Sequence, residues 1–286
     1  MPDSLARWYF DAPVQEIDTG TARLPCRRFG SGPPLLFVHG FACNHADWRA
    51  QLDFFSRTHE VVACDLRGHG ETPGRPHECS IAHYGGDVAA LANHLELNRC
   101  ILVGHSMGTR VVLEANRLLS SHDPERVGGI VLIDGSRSGS GDPDAAEAAA
   151  HAAIDKVGYP AFAEHLFRQM FFKSSPEADA IVARALRQSA EFGPLLWPSM
   201  ARWDAAAMDA ALGAVRAPLL AIQSTTRDAQ MRRSPLEAGQ STPYLDLIRG
   251  SVPGARIAVV PDTGHFTQIE AADEVNRLIA RFLQRC

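Results

Sequence analysis

The chain is 286 residues long, 45% hydrophobic, 21% charged and 7% aromatic, with 28 Lys and Arg against 33 Asp and Glu for a formal net charge of -5. This is globular composition, enough for one large domain or two smaller ones, and it excludes disorder or low complexity as the dominant state. A mildly acidic chain without a basic stripe gives no electrostatic support for a nucleic-acid or anionic-membrane partner. No apolar run approaches the roughly 20 residues that span a bilayer, and Met1–Phe10 lacks a basic start followed by an apolar stretch. The expectation is a cytoplasmic protein acting on a small molecule, with its oligomeric state open.

Short apolar runs bounded by Gly, Pro or Asp recur through the first half: Val14–Ile17, Leu35–Val38, Glu60–Cys64, Cys100–Val103 and Gly129–Ile133. Stretches of helical period lie between them at Asp47–Phe55, Ile81–Leu95 and Met107–Leu119. Strands alternating with helices predict an α/β fold with a mostly parallel, doubly wound sheet covered on both faces.

From Ser136 the character changes. A Gly/Ser loop, Ser136–Gly141, leads into the Ala-rich helical stretch Asp144–Lys156, and then Phe162, Leu166 and Met170, with Phe167 and Phe171, recur at helical spacing. No strand is evident until Pro218. Residues 136–214 therefore read as a helical cap inserted after the sixth strand, over the sheet edge where open α/β sheets bind ligands. Residues 1–135 and 215–286 supply the core, the latter through a strand at Pro218–Gln223, a short helix at Tyr244–Ile248, a strand at Arg256–Val260 and a closing helix at Ala271–Leu283.

Six cysteines (26, 43, 64, 79, 100 and 286) are scattered without a Cys-x-x-Cys pair. Several fall in apolar runs, where a thiol acts as a small hydrophobe, so neither a disulfide scaffold nor a structural zinc site is expected. His69, His77, Cys79 and His83 lack paired i,i+4 ligand spacing. No Gly-x-Gly-x-x-Gly or Walker sequence follows a strand, so no cofactor is implied.

Gly104-His105-Ser106-Met107-Gly108 is a Gly-x-Ser-x-Gly pentapeptide that follows one predicted strand and opens a helix. A sharp strand-to-helix turn exposes the serine hydroxyl above the sheet, and its flanking glycines omit side chains that would collide there. An alcohol becomes a good nucleophile only when a base takes its proton. His265, on a loop between a strand and the final helix, is the candidate. The oxyanion of an acyl-transfer intermediate needs preorganised N–H donors. Met107, at a helix start, and Phe41, in the His39-Gly40-Phe41 loop, supply them. His39 itself reads as a loop-shaping side chain rather than a catalytic one.

His39-Gly40, Asp65-Leu66-Arg67-Gly68-His69-Gly70, Gly104-His105-Ser106-Met107-Gly108 and Gly264-His265 occur in the order and spacing of the α/β-hydrolase superfamily, which the chain resembles from about Val14 to Leu283 outside the cap. The resemblance gives Asp65–Gly70 a structural role in the turn after the fourth strand. It also implies a catalytic acid after the strand Pro218–Gln223, generally behind a Gly. Here Ser224 replaces that Gly and Asp228 falls one residue late. Some superfamily members carry the acid after the sixth strand instead, where Asp134 stands. Asp228 is the first choice and Asp134 its competitor, since orientation toward the far imidazole nitrogen defines the role.

A serine rather than an Asp at the turn argues against the epoxide-hydrolase and haloalkane-dehalogenase branches that the family also contains. The predicted activity is hydrolysis of a carboxylic ester or lactone of a small hydrophobic substrate, in the manner of a carboxylesterase. The alternatives are carbon–carbon bond hydrolysis of a ring-cleavage diketone, a non-catalytic ligand-binding relative, and cofactor-independent oxygen chemistry. Phe162, Phe167, Met170, Phe171, Phe172, Trp197, Met200 and Trp203 give the cap apolar surface. Such stripes more often form a cap's own core than a pocket wall.

Overall fold

A computed structural model describes residues 14–20, 22–228 and 232–286. The Met1–Phe10 segment lies outside the described residues. Eight strands form the main sheet: β1 (Val14–Asp18), β2 (Arg23–Gly30), β3 (Pro34–Val38), β4 (Glu60–Cys64), β5 (Cys100–His105), β6 (Val127–Ile133), β7 (Leu219–Gln223) and β10 (Arg256–Val259). Their order is β1-β2-β4-β3-β5-β6-β7-β10. The β1–β2 and β2–β4 pairings are antiparallel, and every pairing from β4 across to β10 is parallel. A two-stranded antiparallel hairpin, β8 (Thr225–Arg227) with β9 (Arg233–Pro235), stands apart.

Alternate side chains of the parallel strands point to opposite faces, and both faces are buried. Leu36, Val38, Leu102, Ile130 and Leu132 pack into one core cluster. Leu35, Phe37, Ile101, Val103, Val131 and Ile133 pack into the other. On the first side lie α2 (Ile81–His94) and α3 (Met107–Ser120), which contribute Val88, Leu91, Val111 and Val112. On the second lie α1 (Arg49–Phe55) and α10 (Ala272–Leu283), through Leu52, Phe55, Val275, Ile279 and Phe282.

Four helices fill the interval between β6 and β7: α4 (Pro143–Asp155), α5 (Tyr159–Arg168), α6 (Pro176–Ala206) and α7 (Met208–Gly213). Two ion pairs, one buried and one half-buried, fasten α6 to the sheet-bearing part. Arg110 of α3 donates Nε and Nη2 to the two carboxylate oxygens of Asp204, each at 2.7 Å. Arg184 donates Nη2 to Asp47 at 2.6 and 2.7 Å. Two further helices, α8 (Pro243–Ser251) and α9 (Thr267–Glu270), flank β10 in sequence.

Three elements depart from the expected pattern. Strand β2 is not among the expected strands; it contains Pro25, which lacks a ladder donor, and three arginines, which interrupt an apolar run. Helix α6 is 31 residues long although Pro194 and Pro198 lie within it. Interior prolines ordinarily end a helix, so periodicity stopped short of it. The hairpin β8–β9 lies where a single loop was expected.

Arg110 and Asp204 are both almost fully buried, so removing one partner strands a desolvated charge. Asp204→Ala should cost about 3–5 kcal/mol in urea unfolding. Truncating Glu164, whose pair with Arg168 is exposed, should cost less than about 0.5 kcal/mol. Equal small effects would refute the tether.

Candidate active site

Because the central strands run parallel, their C-terminal ends share one edge of the sheet, and each feeds a loop to the same place. From β5 comes Ser106, with backbone φ 54° and ψ -116°, a conformation that a non-glycine residue adopts only when its surroundings enforce it. The surroundings are close: a Cβ on Gly104 would meet the Gly108 carbonyl oxygen at 2.3 Å, and one on Gly108 the Val38 carbonyl oxygen at 2.3 Å. Both flanking positions therefore require glycine for proximity. The Ser106 amide donates to the Ile133 carbonyl at 2.9 Å, which seats the turn against β6.

His265 arrives on the loop after β10. Its amide donates to the Met170 carbonyl at 2.7 Å, and its own carbonyl accepts from His105 Nε2 at 2.9 Å. So anchored, its Nε2 lies 2.8 Å from Ser106 Oγ and its Nδ1 lies 2.6 Å from Asp134 Oδ2. With Nδ1–H donating to Asp134, Nε2 is left to accept from the serine hydroxyl.

Asp134 follows β6 and is completely buried at its carboxylate. It accepts from the amides of Ser224 and Thr225, both at 2.9 Å, and from the Thr225 hydroxyl at 2.5 Å. Burial alone would raise its pKa, but the His265 hydrogen bond, the Arg233 charge and the Thr225 hydroxyl outweigh it and hold the group ionised. For His265, burial and then the Arg233 guanidinium lower the pKa below the usual 6.5. Asp134 opposes that shift and His105 adds a little to it. The imidazole is thereby kept neutral and able to take a proton.

The structure brings Ser106, His265 and Asp134 together and does not bring Asp228 to them. Asp228 lies past β8, at the turn of the hairpin, where its carboxylate accepts from the Arg232 amide at 2.9 Å and the Arg232 Nε at 2.8 Å. The hairpin is the physical reason. At the exit of β7, Ser224 and Thr225 turn their donors onto Asp134, and the chain then extends outward through β8, carrying Asp228 away. The first choice for the acid thus stands outside the hydrogen-bonded line, and its competitor stands in it.

Phe41 and Met107 both line the narrow pocket that opens at Ser106. Gly40 lets this approach occur, since a Cβ there would lie 3.1 Å from Ser106 Cβ. His39 accepts from the Leu66 amide through Nε2 at 3.0 Å and donates from Nδ1 to the Gly40 carbonyl at 2.8 Å, so it shapes the loop. Asp65 does likewise, accepting from the His45 and Glu71 amides at 2.7 and 2.9 Å. Helices α5 and α6 close the pocket with Leu166, Trp197 and Met200, joined by Met170. Phe167 instead stacks on Phe41, with ring centroids 5.9 Å apart.

The pocket also contains Arg110, Arg227 and Arg233, with the hydroxyls of Ser136 and Ser138. Sequence reasoning missed these arginines. They come from α3, β8 and β9 and share no local motif. Among the described residues no group of three or more His, Cys, Asp or Glu is placed to hold a metal, and no helix is long and apolar enough to cross a membrane. Five cysteines are buried and unbridged, and Cys286 is exposed.

A family model described as the alpha/beta hydrolase family matches residues 35–278. The chain belongs to that family. Among alpha/beta hydrolases and their relatives, it is similar to a non-heme haloperoxidase from Rhodococcus erythropolis, with 40% identity over 106 residues, 37% of this chain and 38% of that protein. It is also similar to the dihydrolipoyllysine-residue acetyltransferase component of an acetoin cleaving system from Pseudomonas putida. That match has 28% identity over 265 residues, 89% of this chain and 64% of the relative. The chain thus matches less than two thirds of the length of either curated relative. Among solved structures, a thermophilic esterase from Thermogutta terrifontis superposes with a TM-score of 0.74 and 25% identity, covering 95% of this chain and 97% of that one.

If Arg233 helps to keep His265 neutral, the imidazole titration followed by NMR should have a midpoint below 6.5. Arg233→Met, which removes a positive charge, should move that midpoint upward. An unchanged or lower midpoint would remove Arg233 from the electrostatics of the site.

Proposed function

We propose that this alpha/beta hydrolase cleaves carboxylic esters or lactones through an acyl-enzyme on Ser106. The observation that carries the reading is the continuous hydrogen-bonded line from Ser106 Oγ through His265 to Asp134, at 2.8 and 2.6 Å, with the serine held on a strained turn. The thermophilic esterase is in keeping with this choice of bond.

In this reading Ser106 Oγ attacks the ester carbonyl carbon while its proton passes to His265 Nε2. Asp134, in place of Asp228, fixes the tautomer and stabilises the imidazolium. The amides of Met107 and Phe41 receive the oxyanion, the first aided by its position at the start of α3. Collapse of the tetrahedral intermediate breaks the bond to the alcohol oxygen, which takes the proton from His265. Water, deprotonated by the same imidazole, then attacks the acyl-enzyme and releases the acid and free serine. A lactone follows the same course with both products on one molecule. Residues 136–214 act as the cap that encloses the acyl group against Leu166, Trp197 and Met200.

Fluorophosphonate labelling and 4-nitrophenyl ester hydrolysis test the reading together. Ser106→Ala should abolish labelling and lower kcat by roughly a thousandfold or more. Asp134→Asn should lower kcat by about a hundredfold to ten-thousandfold with folding intact, and Asp228→Asn should stay within about twofold of wild type. A severe loss in Asp228→Asn with an active Asp134→Asn would reverse the assignment. Absence of both labelling and ester turnover in the wild type would overturn the hydrolytic reading.

A further inference from the structure

The pocket at Ser106 is lined by the apolar side chains Leu166, Met170, Trp197 and Met200 together with three arginines and two serines, and no acidic side chain lines it. Three guanidiniums in so small a space repel one another, and their placement needs a reason. Arg110 is engaged by Asp204, whose Oδ2 also accepts from the Ser138 amide at 2.6 Å. Arg233, 7% exposed at its side chain, donates to the Thr225 hydroxyl at 2.5 Å and lies 3.6 Å from Asp134. Arg227 donates to the hydroxyls of Ser136 and Ser138 at 2.9 and 3.0 Å, with its guanidinium carbon 6.0 Å from the Trp197 ring centroid.

Four of these residues, Ser136, Ser138, Arg227 and Arg233, also line a broader cleft of about 570 Å³, together with Tyr244, Leu247 and Asp228, which is engaged by Arg232. These four form a wall common to the two cavities. A planar guanidinium flanked by hydroxyls is suited to a planar carboxylate, to which it can donate two parallel hydrogen bonds. Burial and the charges of Arg233 and Arg110 lower the Arg227 pKa to about 9, a repulsion that an anion at this wall would relieve.

We propose that the Arg227–Arg233 wall, with the Ser136 and Ser138 hydroxyls, binds a carboxylate carried by the substrate itself, so that the enzyme acts on carboxylate-bearing esters or lactones. The proposal rests on Ser106 being the nucleophile and refines the substrate that reaches it. The apolar side takes the carbon chain, the arginine side takes the charge, and the scissile carbonyl lies between them at Ser106. The substrate is then amphiphilic rather than simply hydrophobic.

Two matched ester pairs test this: 4-nitrophenyl hydrogen glutarate against its methyl ester, with the charge in the acyl part, and 4-acetoxybenzoate against its methyl ester, with the charge in the leaving group. In at least one pair the wild type should prefer the charged member by roughly tenfold or more in kcat/KM, the size expected of a charge-assisted contact. In Arg227→Gln the charged-to-neutral ratio of that pair should fall by a similar factor, through KM, and Arg227→Lys should restore part of it. A ratio near one in both pairs, or an equal loss on charged and neutral members in Arg227→Gln, overturns the proposal. Calorimetry on the unmodified protein separates this from failure of the hydrolytic reading. Glutarate binding that is lost in Arg227→Gln supports the carboxylate wall even if neither ester pair is turned over. No glutarate binding, or tighter binding of inorganic phosphate than of glutarate, counts against it.

Discussion

The buried carboxylate of Asp134 is the constraint around which this site is arranged. An ionised carboxylate withdrawn from water costs several kcal/mol unless donors replace its hydration. Here they come from two places in the chain. The Ser224 and Thr225 amides and the Thr225 hydroxyl arrive from the exit of β7, and His265 Nδ1 arrives from the loop after β10. Meeting this demand fixes how β7 ends and draws the imidazole Nδ1 to 2.6 Å from the carboxylate. Because the Thr225 donors point inward, the chain beyond must leave the sheet edge, and it does so as the β8–β9 hairpin. One desolvated charge thus accounts for the position of the His265 imidazole and for the displacement of Asp228.

The serine is held by a different force, the close approach of backbones. Gly104 and Gly108 let the end of β5 and the start of α3 pass within contact distance of each other and of β3. Only in that geometry does Ser106 project its hydroxyl above the sheet edge with an amide beside it at a helix start. The turn is anchored to β6 through the Ile133 carbonyl, and β6 ends at Asp134. Ser106 and Asp134 therefore hang from adjacent hydrogen-bonded strands, and a shift in their register would move both together.

What could be read from the sequence follows from which forces are local. The strand-turn-helix around Ser106 is encoded within a few residues, and so are the short apolar runs of β3 to β7. His265 is nearly as legible, since a Gly-His on a loop after a strand narrows the possibilities. The acid is not, because two carboxylates at the ends of neighbouring strands differ only in which one the donors of a distant loop address. A hairpin of two three-residue strands has too short an alternation to register, and two prolines mask α6. The arginine wall was invisible for the same reason as the acid. Arg110, Arg227 and Arg233 come from a helix and two strands whose approach is a property of the folded chain.

The wall is also tied to the segment that covers it. Asp204 on α6 receives Arg110 from α3 and, on the same carboxylate, the Ser138 amide. Ser138 in turn presents its hydroxyl to Arg227. The ion pair that holds α6 down is therefore continuous, through one backbone amide, with the polar surface facing Ser106. Any movement of α6 large enough to admit a bulky substrate must disturb Ser138 and, with it, the setting of Arg227.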